Sequence, residues 1–228
     1  VKGMIGLGLP LTAVSIITNV VDLRTAIAFI AAPVVATNIL QTFQGGRALE
    51  MLRHYWVIIL CSVSATWVGA EILFLVDADI LTAFLGAVVL VYVVINVTRF
   101  RFRISDSAAP WVAPPFGILS GILTGTTGSV GIPIAMYLQA RDVDKETFVR
   151  ALAITFLISS SMLVVALVYK GAIGREAAAI SALSLIPAGI GMALGARLRG
   201  LLSEELFRNC VYAFLLIAAL NLLRKGLF

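Results

Sequence analysis

GILSGILTGTTGSVGIPIAMYLQ, residues 117–139, is the stretch whose reading decides how this chain folds. It is apolar enough for a membrane, yet Thr124-Gly125-Thr126-Thr127-Gly128-Ser129-Val130-Gly131-Ile132-Pro133 interrupts it. Inside a helix glycine costs about 1 kcal/mol against alanine, and proline about 3. Pro133 also lacks an N–H and turns Ile132 away from helical geometry. Backbone groups freed at membrane depth are tolerated only where protein or a polar cavity satisfies them. The break therefore marks a candidate binding site. Gly117, Gly121 and Gly125 recur every four residues, a spacing that lets helices approach closely, and Gly117 and Gly121 read as packing positions.

Outward from the break, composition sets the class. The 228 residues are 61% hydrophobic and 13% charged, with mean hydropathy +1.05. A soluble domain carries about 25% charged residues, so this is an all-α polytopic membrane protein. Apolar stretches at 26–45, 55–75, 80–98, 148–169, 177–196 and 206–223 are each long enough to span, since about 20 residues cross the roughly 30 Å hydrocarbon core. Glycine-rich stretches at 1–20 and 111–140 complete the set. Pro33 and Pro187 predict kinks, and Asp79 and Ser203 read as N-caps.

Net charge is +5, with a pI near 9.6. The basic residues lie between apolar segments, where Lys and Arg orient a membrane chain, so the lipid bilayer and not nucleic acid is the partner they imply. The loops at 46–54 and 99–106 are basic, and Arg99, Arg101 and Arg103 read as a cytoplasmic headgroup-level cluster. Tyr55, Trp56, Trp67 and Trp111 lie near span ends and read mostly as interfacial anchors. His54 reads as solvated. Cys61 and Cys210 read as inert buried thiols, and no cofactor or metal is called for.

The chain is an internal duplication. Shifted by 123, Gly8 and Pro10 fall on Gly131 and Pro133; shifted by 126, Arg24 falls on Arg150, Gly45 on Gly171, Gly69 on Gly195 and Ala70 on Ala196. The same shift lays the close-packing pair Ala65/Gly69 on Gly191/Gly195, and the difference between the shifts fits an insertion around 140–149. Residues 1–103 form a first module that is expected to lack its first leg, 104–110 a linker, and 111–228 a complete second module. Matching Gly/Pro-interrupted segments in two halves point to a transporter's binding site.

A helix starting at Gly131 or Gly8 presents unpaired N–H groups and a positive dipole end, which suits an anion. Candidate binding positions are Lys2, Gly3, Gly6 and Gly8 at the first break, and Gly125, Thr126, Thr127, Gly128, Ser129 and Gly131 at the second. Asn38, Gln41 and Ser160 are candidates beside them, as amide and hydroxyl donors. Among the carboxylates only Glu71 lies well inside a span, too few for a cation site.

The same residues carry a family resemblance. Lys2-Gly3-Met4-Ile5-Gly6-Leu7-Gly8-Leu9-Pro10 resembles the first glycine-rich signature of the TauE/SafE sulfite-exporter family. Gly121-Ile122-Leu123-Thr124-Gly125 through Gly128-Ser129-Val130-Gly131-Ile132-Pro133 resembles the second, with hydroxyls between its glycines that depart from the commoner form. The resemblance covers essentially the whole chain. It implies a multi-pass secondary transporter of a small sulfur-containing anion (sulfite, sulfoacetate or another organosulfonate) in the bacterial inner membrane. A channel or a transporter of a metal cation or amino acid stays open as an alternative, and so does a homodimer. With no HExxH, no GxSxG and no clustered His/Cys/carboxylate set in the sequence, an enzyme is not expected.

Charge also predicts topology. Basic loops at 46–54 and 99–106 place those ends inside, with Asp77 and Asp79 outside. Basic residues place 197–205 inside as well, opposite to its counterpart 76–79. Inverted repeats follow if 111–140 enters and leaves on one side, as two legs of about 13 residues, each reaching roughly 20 Å.

Overall fold

Each long apolar stretch becomes a helix. In chain order these are α1 (Leu9–Ile17), α2 (Leu23–Phe43), α3 (Ala48–His54), α4 (Trp56–Leu75), α5 (Ala78–Val97) and α6 (Ala109–Thr127). They continue with α7 (Ile132–Ala140), α8 (Lys145–Tyr169), α9 (Arg175–Leu183), α10 (Leu185–Leu198) and α11 (Glu204–Leu227). This computed structural model describes residues 9–43, 46–98, 103–128, 131–198 and 204–227. No strand occurs among them. Helices α2, α4, α5, α8 and the joined α9–α10 are long and apolar enough to cross a membrane. Large apolar residues such as Phe84 and Val91 on α5 and Ile217 and Leu220 on α11 face outward, as a lipid-facing surface requires.

The closest packing joins α4 to α6, which run in the same direction. Gly117 lies against Ile58 and Cys61, Gly121 against Ser62 and Ala65, and Gly125 against Thr66, Gly69 and Ala70. A Cβ on Gly117 would stand 2.6 Å from the Ile58 carbonyl oxygen, and one on Gly69 2.5 Å from that of Ile122. Backbone meets backbone here, the small-residue contact that membrane helices use in place of a hydrophobic driving force. Gly86 and Gly226 do the same between α5 and α11, which run antiparallel, with Gly226 beside Asp79 and Ala83.

Polar links gather one end of the bundle. Arg24, at the start of α2, donates from Nε to Leu73 O at 2.9 Å and from Nη2 to Val76 O at 2.9 Å. It thereby satisfies carbonyls that the C-terminus of α4 leaves free. Lys170, after α8, pairs with Glu71 at 2.5 Å, and Lys225 of α11 donates to the Thr18 carbonyl after α1. At the other end the α6–α7 hairpin closes on itself: Ile104 N donates to Ala140 O at 2.8 Å and Arg141 pairs with Asp106 at 2.7 Å.

Two caps share one pattern. Asp22 accepts from the Arg24 and Thr25 N–H groups and from the Thr25 hydroxyl; Asp144 accepts from those of Glu146 and Thr147 and from the Thr147 hydroxyl. Burial pushes Asp22 up, but these bonds outweigh it and hold its carboxyl below the usual range. The Thr147 hydroxyl leads the same lowering at Asp144. Both caps therefore contribute at neutral pH and weaken as pH falls through the lowered values.

Several expectations are corrected. The basic stretch at 46–54 is not all loop: residues 48–54 form α3, because Met51 turns inward and joins Tyr55 in an apolar cluster with Ile134 and Leu138. Tyr55 is accordingly buried and not an interfacial anchor, whereas Trp56 and Trp111 are exposed. The cap of α5 is Asp77, which accepts from Asp79 N at 2.8 Å, so Asp79 sits in the first turn. His54 closes α3 and is exposed, in line with the solvated reading, while its ring meets Tyr55 edge-on. Ser203 and the 99–102 arginines lie outside the described residues, as does the Cys210 side chain.

Candidate functional site

Prolines explain two further irregularities, and they meet. Pro33 stays within α2 but leaves the Phe29 carbonyl without its usual donor. Ser184 offers one, its Oγ hydrogen shared between Phe29 O at 3.0 Å and Ser181 O at 2.7 Å, while Ala32 N donates to Ser181 Oγ at 2.9 Å. Ser184 is itself the interruption between α9 and α10, three residues ahead of Pro187, whose missing N–H cannot reach the Leu183 carbonyl. The proline in each helix thus loosens a ladder at the point where the two helices touch, and serines repair it.

The break between α6 and α7 is made by two glycines. Gly128 caps α6 at φ 64° with its N–H on Thr124 O, and Gly131 precedes α7 at φ 107°. Only glycine adopts these values without strain. Helix α7 then carries Ile132 and Ile134 N–H groups that no intrahelical carbonyl can accept, and Pro133 has none to offer. Gly131 lies against the Phe156 ring of α8; a Cβ added there would fall inside the ring. The space beside the Gly131 Cα is therefore taken up by the Phe156 ring.

Around the break lies a buried layer of neutral polar side chains. It comprises Thr37 and Asn38 on α2, Ser62 and Thr66 on α4, Ser120, Thr124, Thr126 and Thr127 on α6, and Thr155, Ser159 and Ser160 on α8. On α4 and α8 it separates two apolar clusters, one holding Ala70, Leu73, Leu163 and Leu167, the other Ile58, Ile59, Leu152 and Phe156. Asn38 Nδ2 donates to Ser160 Oγ at 3.4 Å, and the Ser62 and Ser159 hydroxyls pair at 3.0 Å. Ser120 Oγ is fully buried with no hydrogen-bond partner among the described residues. The layer holds no ionised side chain among the described residues; Glu71 is paired with Lys170 at the bundle's end.

A small cavity of about 20 Å³ opens in this region, with Gly128, Ser160, Ile27, Ile30 and Val34 among its lining residues. That is room for about one water.

The predicted residues fare differently. Asn38, Ser160 and Gly128 come together. Gly125 does not join them, because it belongs to the α4–α6 contact. Thr126 and Thr127 spend their hydroxyl hydrogens on the Ile122 and Leu123 carbonyls, so neither has a proton ready for an anion. Gln41 is half-buried on α2, beyond Asn38. Lys2, Gly3, Gly6, Gly8 and Ser129 lie outside the described residues. Sequence reading missed Ser62, Ser120, Ser181 and Ser184; for Ser62 a signal existed, since Ser62, Thr66 and Gly69 share one helical face.

Comparison with known proteins decides the family: sulfite exporter TauE/SafE matches residues 1–222. The chain belongs to the TauE/SafE family. No curated protein and no solved structure matches it. The TauE/SafE family is one of membrane transporters of sulfur anions, which agrees with a multi-pass helical bundle whose buried layer is polar but uncharged.

Proposed function

We propose that this TauE/SafE protein is a secondary transporter of a small sulfur-containing anion such as sulfite, sulfoacetate or another organosulfonate, working in the bacterial inner membrane. The observation that carries the reading is the glycine break at Gly128–Gly131, which starts α7 inside a closed, uncharged polar layer. Free N–H groups and the positive end of α7 favour an anion there. The Asn38 amide adds a donor from α2; the Ser160 hydroxyl, whose hydrogen goes to the Phe156 carbonyl, accepts from it. A metal cation finds no support: among the described residues no His, Cys, Asp and Glu gather as ligands.

We further propose two inverted modules that rock around this site. Supporting this, the sequences entering α1 and α7 share a pattern, with Pro10 two residues after Gly8 and Pro133 two residues after Gly131. The Asp22 and Asp144 caps repeat each other at an offset of 122, which sets Arg24 against Glu146 and not against Arg150, and the ends of the α6–α7 hairpin meet. The contact of Gly226 with Asp79 sets the loop at 76–77 at the opposite end of the bundle from the start of α11. Legs of 19 and 9 residues replace the two of about 13 that the sequence suggested. Opening the site would strain least at the proline breaks, where α2 meets α9 and α10.

Flux into proteoliposomes tests the substrate. Sulfite or a sulfonate should be carried, and carboxylate amino acids and divalent cations should compete poorly. Asn38→Ala should raise KM roughly tenfold or more, since a hydrogen bond to a charged group contributes about 1.5–3 kcal/mol. Carriage of cations or amino acids in place of sulfur anions would overturn the reading. Topology has its own test. With Cys61 and Cys210 replaced, an impermeant thiol reagent applied to intact cells should label Ala78→Cys but not Glu204→Cys. Labelling of both from outside sinks the inverted arrangement.

A further inference from the structure

The small cavity beside the polar layer has a direction. Helix α2 packs against α8, and the cavity lies in the seam between them. Gly128 and Ser160 line it at the layer, and Ile27 of α2 and Leu167 of α8 line it toward the bundle's end. From Ser160 to Leu167 is roughly 10 Å of helix. About one turn beyond Ile27 and Leu167 on the same two helices stand Arg24 and Lys170. Ile27 shuts the seam at the break, its Cγ1 standing 3.0 Å from where a Cβ on Gly128 would be. The two cations at the end are held differently. Arg24 is bonded to the Leu73 and Val76 carbonyls, whereas Lys170 pairs with Glu71. The Lys170 and Glu71 side chains are 28% and 37% exposed. An ion pair so open to water contributes little, so an anion takes the place of Glu71 at small cost.

We propose that the anion moves between the polar layer and water along the α2–α8 seam, and that Lys170 receives it at the mouth by exchanging Glu71 for the anion's oxygens. The inference rests on the anion-transport reading and adds to it the route and the first contact. Ile27, Ile30, Leu163 and Leu167, all buried in one apolar cluster, close the route. An apolar constriction of this kind shuts by excluding water. Its opening has a hinge. Pro33 lies between Ile30 and Asn38, next to the Phe29 carbonyl whose donor Ser184 shares with Ser181. Residues 23–32 of α2 therefore swing Ile27 and Ile30 off Gly128 while Asn38 stays in the layer. Lys170 lies outside the constriction, where a positive charge draws anions to the mouth and repels cations.

The test uses Ile27→Cys in a background with Cys61 and Cys210 replaced, and Leu163→Cys as a second probe of the same seam. Each is treated with two membrane-impermeant thiol reagents, sulfonatoethyl and trimethylammonioethyl methanethiosulfonate, from the side that labels Ala78→Cys. Both probes should label. The rate with the anionic reagent, relative to the cationic one, should fall roughly threefold or more in Lys170→Gln and rise in Glu71→Gln. In the flux assay Lys170→Gln should raise KM for sulfite roughly fivefold, and Glu71→Gln should lower it. The opposite signs are decisive, because a pair that only braces α4 to α8 gives both variants the same defect. Changes of the same sign, or no change in either, overturn the role of Lys170. Failure of both probes to label, while Ala78→Cys labels, overturns the route. Labelling needs no substrate, so a protein that carries no sulfur anion refutes the transport reading and leaves this readout intact.

Discussion

Gly125→Val is expected to abolish the folded protein, leaving no monodisperse peak in size-exclusion chromatography and no cooperative thermal transition. Gly125 sits within a recognised glycine signature, and function would be the first reading of its loss. The structure places it elsewhere. Its missing Cβ faces the Thr66 carbonyl, the Ala70 N–H and the Gly69 backbone, and none of these can rotate aside. Overpacking among side chains costs about 1–3 kcal/mol, and here relief requires α4 and α6 to separate along their length. The neighbouring contacts at Gly117, Gly121 and Gly69 would open with it. By contrast, Gly189→Val should leave folding unchanged, because open space surrounds it. A Gly125→Val protein that folds normally and fails only in uptake would return Gly125 to the binding site.

Much of this architecture was legible in the residues. Hydrophobic runs fix the spans to within a few positions, because a helix in lipid must satisfy its own backbone and little else competes. The break at Gly128–Pro133 was legible for the same reason, as was the packing of Gly117 and Gly121. Contacts between distant segments were not. Nothing local says that Asn38 reaches Ser160, 122 positions away, or that Ser184 repairs the carbonyl that Pro33 leaves free. Thr126 and Thr127 misled because a hydroxyl beside a glycine break suggests a ligand, while the intact helix up to Thr127 offers carbonyls four residues back at 2.7–2.8 Å. Helix α3 was hidden by its charges: Glu50, Arg53 and His54 suggested a loop, although only one face, through Met51, had to turn inward.

Gly131→Ala should cut uptake per folded molecule at least tenfold, and relieving the contact with Phe156 should recover stability but not uptake. Two effects coincide at this glycine. Its φ of 107° is closed to residues with a Cβ, at a cost of about 1–3 kcal/mol, and the Cβ would also overlap the Phe156 ring. Phe156→Leu shortens the ring's reach and removes the second effect alone. In a double-mutant cycle read by thermal unfolding, the two substitutions should couple by about 0.5–3 kcal/mol, as contacting residues do. The backbone term remains. To escape it the chain must rotate at Gly131, and that rotation turns the Ile132 and Ile134 N–H groups from the direction in which α7 presents them. Donors aimed at an anion lose their value once misdirected, since each acts through a hydrogen bond that weakens steeply with angle. The double variant should therefore fold nearly as well as Phe156→Leu and still transport poorly. Full recovery of uptake in Gly131→Ala/Phe156→Leu would mean that Gly131 serves only to make room for the ring, and would remove the α7 N-terminus from the anion site.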